Sequence, residues 1–399
     1  MDSYVEAARD GTLDLLDGEL YRDDPYPTYR WLRENDPVYW DATNELWGIT
    51  RYDDIVEIEK NPKVFISSSQ DGGYRPKIPA DPSMIGMDEP LHQAHRRLVS
   101  RRFTPKAVLG WEDHIRAVVA GLLDDAAAAG SADVVEDLGA PLPAQMIGLL
   151  LGYPDEMWPK LKEWSERTIV LGGGPAYHSE DGITAAMDFA EACTHLYEEK
   201  KAEPAEDIMS FWTQADIDGE PFDVSGVVSD CLLLLDGGAE TTRTVIARTL
   251  VDLVEHRDQW EQLKDGADLT TAVEEFIRYV TPIVNMCRMP VEDYELRGKT
   301  IKAGQQVVLM YPSANRDEDH FDDADALDVT RDPNHHLSFG FGTHFCLGAS
   351  LARLEIKLFF EGLLERFDGW HIPDGGEPTY IANSFVAGIT GGTVEFEPR

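Results

Sequence analysis

Phe339-Gly340-Phe341-Gly342-Thr343-His344-Phe345-Cys346-Leu347-Gly348 lies toward the C-terminal end of a chain of 399 residues. It reads as a glycine-loosened loop feeding a helix. Gly340, Gly342 and Gly348 permit backbone conformations and close approaches denied to other residues. From Leu347 to about residue 367, apolar side chains recur at three- and four-residue spacing. Cys346 then stands at the head of that helix, where free N–H groups and the positive end of the dipole favour a thiolate. Such a thiolate is a nucleophile or a metal ligand. A nucleophile needs a base and an oxyanion hole; His344 is near in sequence, and nothing else supports acyl transfer. Zinc needs three or four ligands, and no second Cys/His cluster at metal spacing exists. One thiolate without protein partners suits a metal whose other ligands come from a cofactor, of which heme is the obvious case. The plain alternative is a small buried hydrophobe, the ordinary fate of an isolated cysteine.

The rest of the composition is that of a globular chain: 43% hydrophobic, 10% aromatic and 27% charged. Lys and Arg number 35 against 74 Asp and Glu, a net charge of −39. That balance predicts repulsion from DNA, RNA and anionic membranes, hence no nucleic-acid partner and no membrane insertion. A salt-rich cytoplasm is one reason for such a surface. No apolar run is expected to reach the roughly 18 residues that span a bilayer. The start, Met1-Asp2-Ser3-Tyr4-Val5-Glu6, lacks the basic and apolar segments of a signal peptide. Cys193, Cys231, Cys287 and Cys346 form no CxxC pair. The expectation is a cytoplasmic protein held at reducing potential.

Helical periodicity dominates from about residue 91, over 91–101, 111–129, 141–151, 155–170, 183–201, 224–256, 269–280 and 347–367. The longest segment, 224–256, has Asp223 as its N-cap candidate and would run roughly 50 Å at 1.5 Å per residue. Strand signals are few. Val38–Trp40 and Leu46–Thr50 read as an early hairpin. Tyr294–Leu296 and Gln306–Tyr311, around a turn at Arg297-Gly298, read as a later pair. The fold class is therefore mainly α (α+β), with a small segregated β-sheet. No linker composition divides the chain, so residues 1–399 read as a single domain.

Gly237-Gly238-Ala239-Glu240-Thr241-Thr242 falls midway along the longest helical segment. Two adjacent glycines cost about 2 kcal/mol of helix propensity relative to alanine, so a break is one reading. Apolar periodicity continues through Val245, Leu250 and Leu253, which favours a continuous helix with a local distortion. A mid-helix Thr241 can bond back to the carbonyl of Gly237 and bend the helix, opening a polar notch. Glu275-Phe276-Ile277-Arg278 places an acid and a base on one helix face, a spacing that is usually a weak surface pair.

Phe-Gly-x-Gly-x-His-x-Cys-x-Gly at 339–348 resembles the heme-binding loop of the cytochrome P450 family, the heme-thiolate monooxygenases, at every fixed position. The resemblance runs from Asp24-Pro25-Tyr26-Pro27 to the C terminus. Asp88-Glu89-Pro90-x-His92, Glu240-Thr241-Thr242-Arg243 and Ala314-Asn315-Arg316-Asp317 look like soluble bacterial members, with a weaker likeness to those oxidising sterol side chains, terpenoids or branched lipids. It implies the P450 fold, with heme b (iron protoporphyrin IX) between the long central helix and the Cys loop, and iron ligated by Cys346. It also implies that Phe339, Gly340 and Gly348 pack on the cofactor. Glu240 and Thr241 become the acid–alcohol pair that supplies protons during dioxygen activation. Glu275, Arg278 and Arg331 become a structural charge cluster. Phe321-Asp322-Asp323-Ala324-Asp325-Ala326-Leu327 departs from the family pattern at Ala324 and Leu327, so this meander is expected to pack differently. Heme carboxylates need charge-assisted partners when buried, and His92, Arg96, Arg288 and His344 match that set.

The implied substrate-facing segments are 66–90, 165–190, Leu233–Gly237, Ile283–Met286 and Ser384–Gly388, with Met84, Leu233, Asp236, Gly237, Val284 and Phe385 as pocket residues. Most are apolar, favouring a small apolar substrate. Asp236 dissents: five positions before Thr241 is about 140° around an ideal helix, so it should face away, in a polar contact behind the helix, unless the distortion turns it inward to hydrogen-bond a hydroxyl or pair with an amine on the substrate. Between Leu91 and Gly110 stand five bases (Arg96, Arg97, Arg101, Arg102, Lys106) and no acid. Arg97, Arg101 and Arg102 read either as a solvated face or as a dock for a small acidic electron donor. The chain carries no fused flavin or iron–sulfur domain, so a ferredoxin and ferredoxin reductase are the implied donors. The reaction implied is insertion of one oxygen atom from O2 into a C–H bond. The rivals are a peroxide-driven peroxygenase, which typically lacks the Glu–Thr pair, and a non-catalytic heme ligand-binding protein.

Overall fold

A computed structural model describes residues 2–22, 24–217 and 219–399. The long helix Val224–Glu255 crosses the molecule without interruption at Gly237-Gly238. Asp223 caps it, accepting from the Ser225 amide at 3.3 Å. Its Val227, Leu235, Ile246 and Leu250 are buried in the main apolar cluster, together with Leu138, Leu142 and Met146 and with Phe359, Phe360 and Leu363 of the helix Ala349–Arg366. Burying these side chains is worth roughly 1.5–3 kcal/mol each, which outweighs the propensity lost at the two glycines.

The five-stranded sheet runs Val38–Asp41, Leu46–Ile49, Val307–Met310, Asn285–Pro290, Phe65–Ile66 in spatial order. The early hairpin has Val38 opposite Ile49. The later pairing differs from expectation. Tyr294–Leu296 pairs with Lys299–Ile301, around Arg297 and Gly298, both at positive φ (48° and 75°). Val307–Met310 instead lies in the middle of the sheet, parallel to Leu46–Ile49 and antiparallel to Asn285–Pro290. All four of its residues are buried, and a strand covered on both faces has no alternation to mark its partner.

Val134–Leu151 is also a correction, since it is long and apolar enough to pass a length test for a membrane span. It is 78% buried within the protein and comprises two pieces, a π-turn Val134–Gly139 and the helix Pro141–Leu151. The meander 321–327 is folded: Phe321, Ala324 and Leu327 are all buried.

Candidate active site

The cysteine loop is set by backbone bonds and two left-handed glycines. The Cys346 amide donates to Phe339 O at 2.9 Å, and that of Gly340 to Leu337 O at 2.8 Å. Gly340 and Gly342 have φ of 67° and 69°. A Cβ at Gly342 would lie 2.6 Å from the Glu59 carbonyl oxygen, so only glycine fits there. The regular helix begins at Ala349, two residues later than the periodicity suggests. Cys346 is exposed, and it is exposed to a cavity of about 550 Å³. Burial pushes its thiol up; the amides of Gly348 and Ala349, with Arg96 and Arg353, pull the other way. A thiolate in that balance calls for a cationic metal partner.

Phe339, Gly340, His344, Gly348, His92, Arg96 and Arg288 line the same cavity. Arg288 projects from the strand Asn285–Pro290 and meets Glu59 at 3.2 Å. Tyr311 donates to the same Glu59 oxygen at 2.9 Å. Burial raises Glu59 to about 7, and its other oxygen is buried without a partner. His92 Nδ1 lies 3.3 Å from Glu89. Burial, with Arg288, His92 and Arg96 close by, pushes His344 down to about 2. Two guanidiniums, Arg96 and Arg288, with the neutral imidazoles of His92 and His344, offer hydrogen-bond donors suited to an anionic guest.

The arrangement fits heme. Among the described residues, no group of three His, Cys, Asp or Glu could hold a metal, so one thiolate must be supplemented by a macrocycle's own ligands. A Cβ at Gly348 would meet nothing within 4 Å, which leaves that wall flat beside the sulfur. The four basic or imidazole side chains suit two carboxylates.

Thr241 lines the cavity and donates to Gly237 O at 2.7 Å. A side chain at Gly237 would enter open space, so the notch exists because that residue is glycine. Glu240 does not line the cavity. It is buried and lies 2.8 Å from Arg243, because the next residue along a helix points about 100° away. Burial, with Glu166 adding, raises Glu240 to about 7, while Arg243 and Lys162 oppose. Glu355, on the helix after Cys346, also lines the cavity and is raised to about 8 by burial against its bond to Thr242. Sequence reading missed it, and nothing in its spacing marked it.

Met84, Leu233, Asp236, Gly237 and Phe385 line the cavity, and Val284 does not. The Val284 amide donates to Phe385 O, and its side chain packs with Leu13, Leu15 and Tyr21. Ile283 and Met286 reach the cavity in its place. Asp236 reaches it although Thr241 does too. The cavity wraps more than one side of the helix, as Gly237 and Gly238 present no side chains. Tyr74, Arg75 and Asp81 from the loop 66–90 complete a polar corner that residue types alone did not single out.

Glu275 and Arg278 are fully buried and bonded at 2.7 Å. Arg331 meets the same carboxylate at 3.1 Å, and Arg278 also donates to the carbonyls of Asn315, Ala324 and Ala326. This ties the helix Leu269–Val280 to the meander ahead of the cysteine loop. Arg97 and Arg101 are exposed, while Arg102 is half-buried and donates to Glu206 O at 3.3 Å. Arg96, from the same helix, donates to Phe345 O, so this basic face adjoins the cysteine loop.

A sequence profile of the cytochrome P450 family matches residues 175–396. The chain is similar to a steroid C26-monooxygenase of Mycolicibacterium smegmatis, 37% identical over 392 residues, 97% of this chain and 96% of that protein. It is similar in structure to CYP109E1 from Bacillus megaterium, solved in complex with testosterone, with TM-score 0.86 and 32% identity over 95% of this chain and 99% of that one. It is also similar to Mycobacterium marinum cytochrome P450 CYP268A2 in complex with pseudoionone, with TM-score 0.88 and 30% identity over 96% and 98%.

Proposed function

The chain belongs to the cytochrome P450 family and is a heme-dependent monooxygenase, and on that premise we propose that it hydroxylates a steroid or a similarly apolar lipid with electrons from a ferredoxin and its reductase. Heme bound through Cys346 supplies dioxygen activation, which thiolate donation favours. Cys346 would hold the metal from the head of its helix, and His92, Arg96, Arg288 and His344 would hold the carboxylates. Thr241 holds a proton at its Oγ1, aimed along the helix at Gly237 O. Glu240, with Lys162 and Glu166 beside it on the other side, is the group that replenishes that proton. Ile283, Met286, Phe385 and Leu233 place the substrate and exclude water.

The observation that carries this reading is that one cavity has Cys346, His92, Arg96, Arg288, His344 and Thr241 on its walls. The apolar remainder, together with relatives named for steroids, supports the substrate class. Arg97 and Arg101, exposed next in sequence to the Arg96 that donates to Phe345 O, form the face for an acidic donor.

The test is turnover of a steroid panel by the heme-loaded protein with a bacterial ferredoxin, its reductase and isotopically labelled dioxygen. Labelled oxygen in the product is expected. Equal turnover with hydrogen peroxide and no donor would overturn the electron-transfer reading, and absence of oxygen uptake with every substrate would overturn the enzymatic one.

A further inference from the structure

Asp236 is the one carboxyl that the long helix turns toward the cavity. Its Oδ1 lies 2.7 Å from Thr168 Oγ1. Thr168 Oγ1 also lies 2.8 Å from the carbonyl oxygen of Trp164, which can only accept. A hydroxyl has one hydrogen to give. If Thr168 gives it to Trp164, the contact with Asp236 must be donated by the acid. The protonated acid satisfies all three groups in one chain, Asp236 O–H to Thr168 Oγ1 and Thr168 O–H to Trp164 O. Burial, with Glu240 adding, raises Asp236 to about 8, against Thr168, Arg75 and the Ser165 hydroxyl. Asp236 also lines the cavity, where a carboxyl oxygen can serve as an acceptor. Arg75 lines the same corner and gives one nitrogen to Asp81 at 2.5 Å, with its guanidinium over the Tyr74 ring. The corner is thus an acceptor beside a cation in a cavity whose other walls are mostly apolar.

We propose that Asp236 is a specificity-determining residue that accepts a hydrogen bond from a hydroxyl group already present on the substrate, with Arg75 facing the oxygen of that hydroxyl. The proposal rests on the monooxygenase reading and narrows its substrate to an apolar alcohol. Five residues of helix separate Asp236 from Thr241, about 7.5 Å at 1.5 Å per residue. An anchored hydroxyl therefore sits several carbon–carbon bonds from the carbon that is oxidised, and the product is a diol with well-separated oxygens. The reaction that supplies this substrate must itself leave an alcohol, as an ester hydrolysis, a ketone reduction or an earlier hydroxylation does.

The test is calorimetric binding of matched pairs to the heme-loaded protein: testosterone against androst-4-en-3-one, and citronellol against 2,6-dimethyl-2-octene. Wild type, Asp236→Asn and Asp236→Leu are compared, each first checked for full heme content and an unchanged carbon-monoxide spectrum. A preference of about three- to tenfold for the alcohol is expected in wild type, the worth of one neutral hydrogen bond. Asp236→Asn should keep most of it, because its amide oxygen still accepts. Asp236→Leu should lose it while binding the deoxy partner at least as tightly. A preference unchanged in Asp236→Leu, or absent from wild type for a pair that binds, overturns the proposal and leaves the monooxygenase reading standing. Failure of all four ligands to bind, in protein with a normal spectrum, overturns the apolar-alcohol assignment and the substrate class beneath it.

Discussion

Arg243 and Glu240 meet at 2.8 Å, three residues apart on the long helix, on a side that does not line the cavity reached by Thr241. The acid is thereby held behind the helix, where the charges of Arg243, Glu166 and Lys162 act on it. Its raised value of about 7 puts its proton exchange in the working pH range.

Glu240→Gln should lower turnover by roughly a hundredfold, the usual scale for loss of a positioned proton donor. Substrate binding should stay unchanged. Wild-type turnover should fall as pH rises through about 7, where the proton is lost, and the variant should lose that step. Steady-state rates between pH 6 and 9 with a saturating donor check both.

Buried acids also set the pH dependence of stability. Glu355 and Asp236 are raised to about 8, and Glu240 to about 7. Each keeps its proton in the folded chain to those values and releases it near 4 when unfolded. The folded state thus binds more protons between about pH 4 and 8, and stability falls across that window and levels off above it. The melting temperature of the heme-loaded protein should drop between pH 5 and 8 and flatten above 8 at constant high salt, and Glu355→Gln should make the drop shallower.

Glu275→Ala would strand Arg278 as a fully buried, unpaired charge. Removing one partner of such a pair costs about 3–5 kcal/mol. The expected outcome is a collapse in the yield of heme-loaded protein, with the unfolding free energy from urea titration lowered by that amount in whatever folds. Arg331→Ala removes a contact at the edge of the same network and should cost less.

Reversing charge at Arg97 and Arg101 should slow reduction by an acidic ferredoxin about tenfold at low salt, with the difference vanishing as salt is raised. Stopped-flow rates at two ionic strengths check this. Equal rates at low salt would place the donor elsewhere.

The helices were legible because the 3.6-residue period survives wherever one face is buried, as in Leu269–Val280 and Ala349–Arg366. The cysteine loop was legible because its residue types are forced locally, Gly342 by the carbonyl of Glu59 that it abuts. What escaped was non-local. Val307–Met310 takes partners from residues 47 and 288, which no adjacent turn announces. Val284 turns away while Ile283, one residue before it, and Met286, two residues after it, reach the cavity, so no simple alternation marks which of them faces it. Asp236 defied the helical wheel because two glycines let the cavity curl around its helix. Arg75, Thr168 and Glu355 gain meaning only from what folding sets beside them.

Arg278 places its donors on Glu275 and on the carbonyls of Asn315, Ala324 and Ala326, from two separate places in the chain. The bonds to Glu275, Asn315 and Ala324 are buried, so those oxygens have no water to fall back on. A half-assembled version of this region would have to bury several bare acceptors at once, so intermediate states are heavily penalised. The loop presenting the sulfur to the metal should therefore be either completely built or not built at all, and damage there should show as fewer working molecules rather than as many impaired ones.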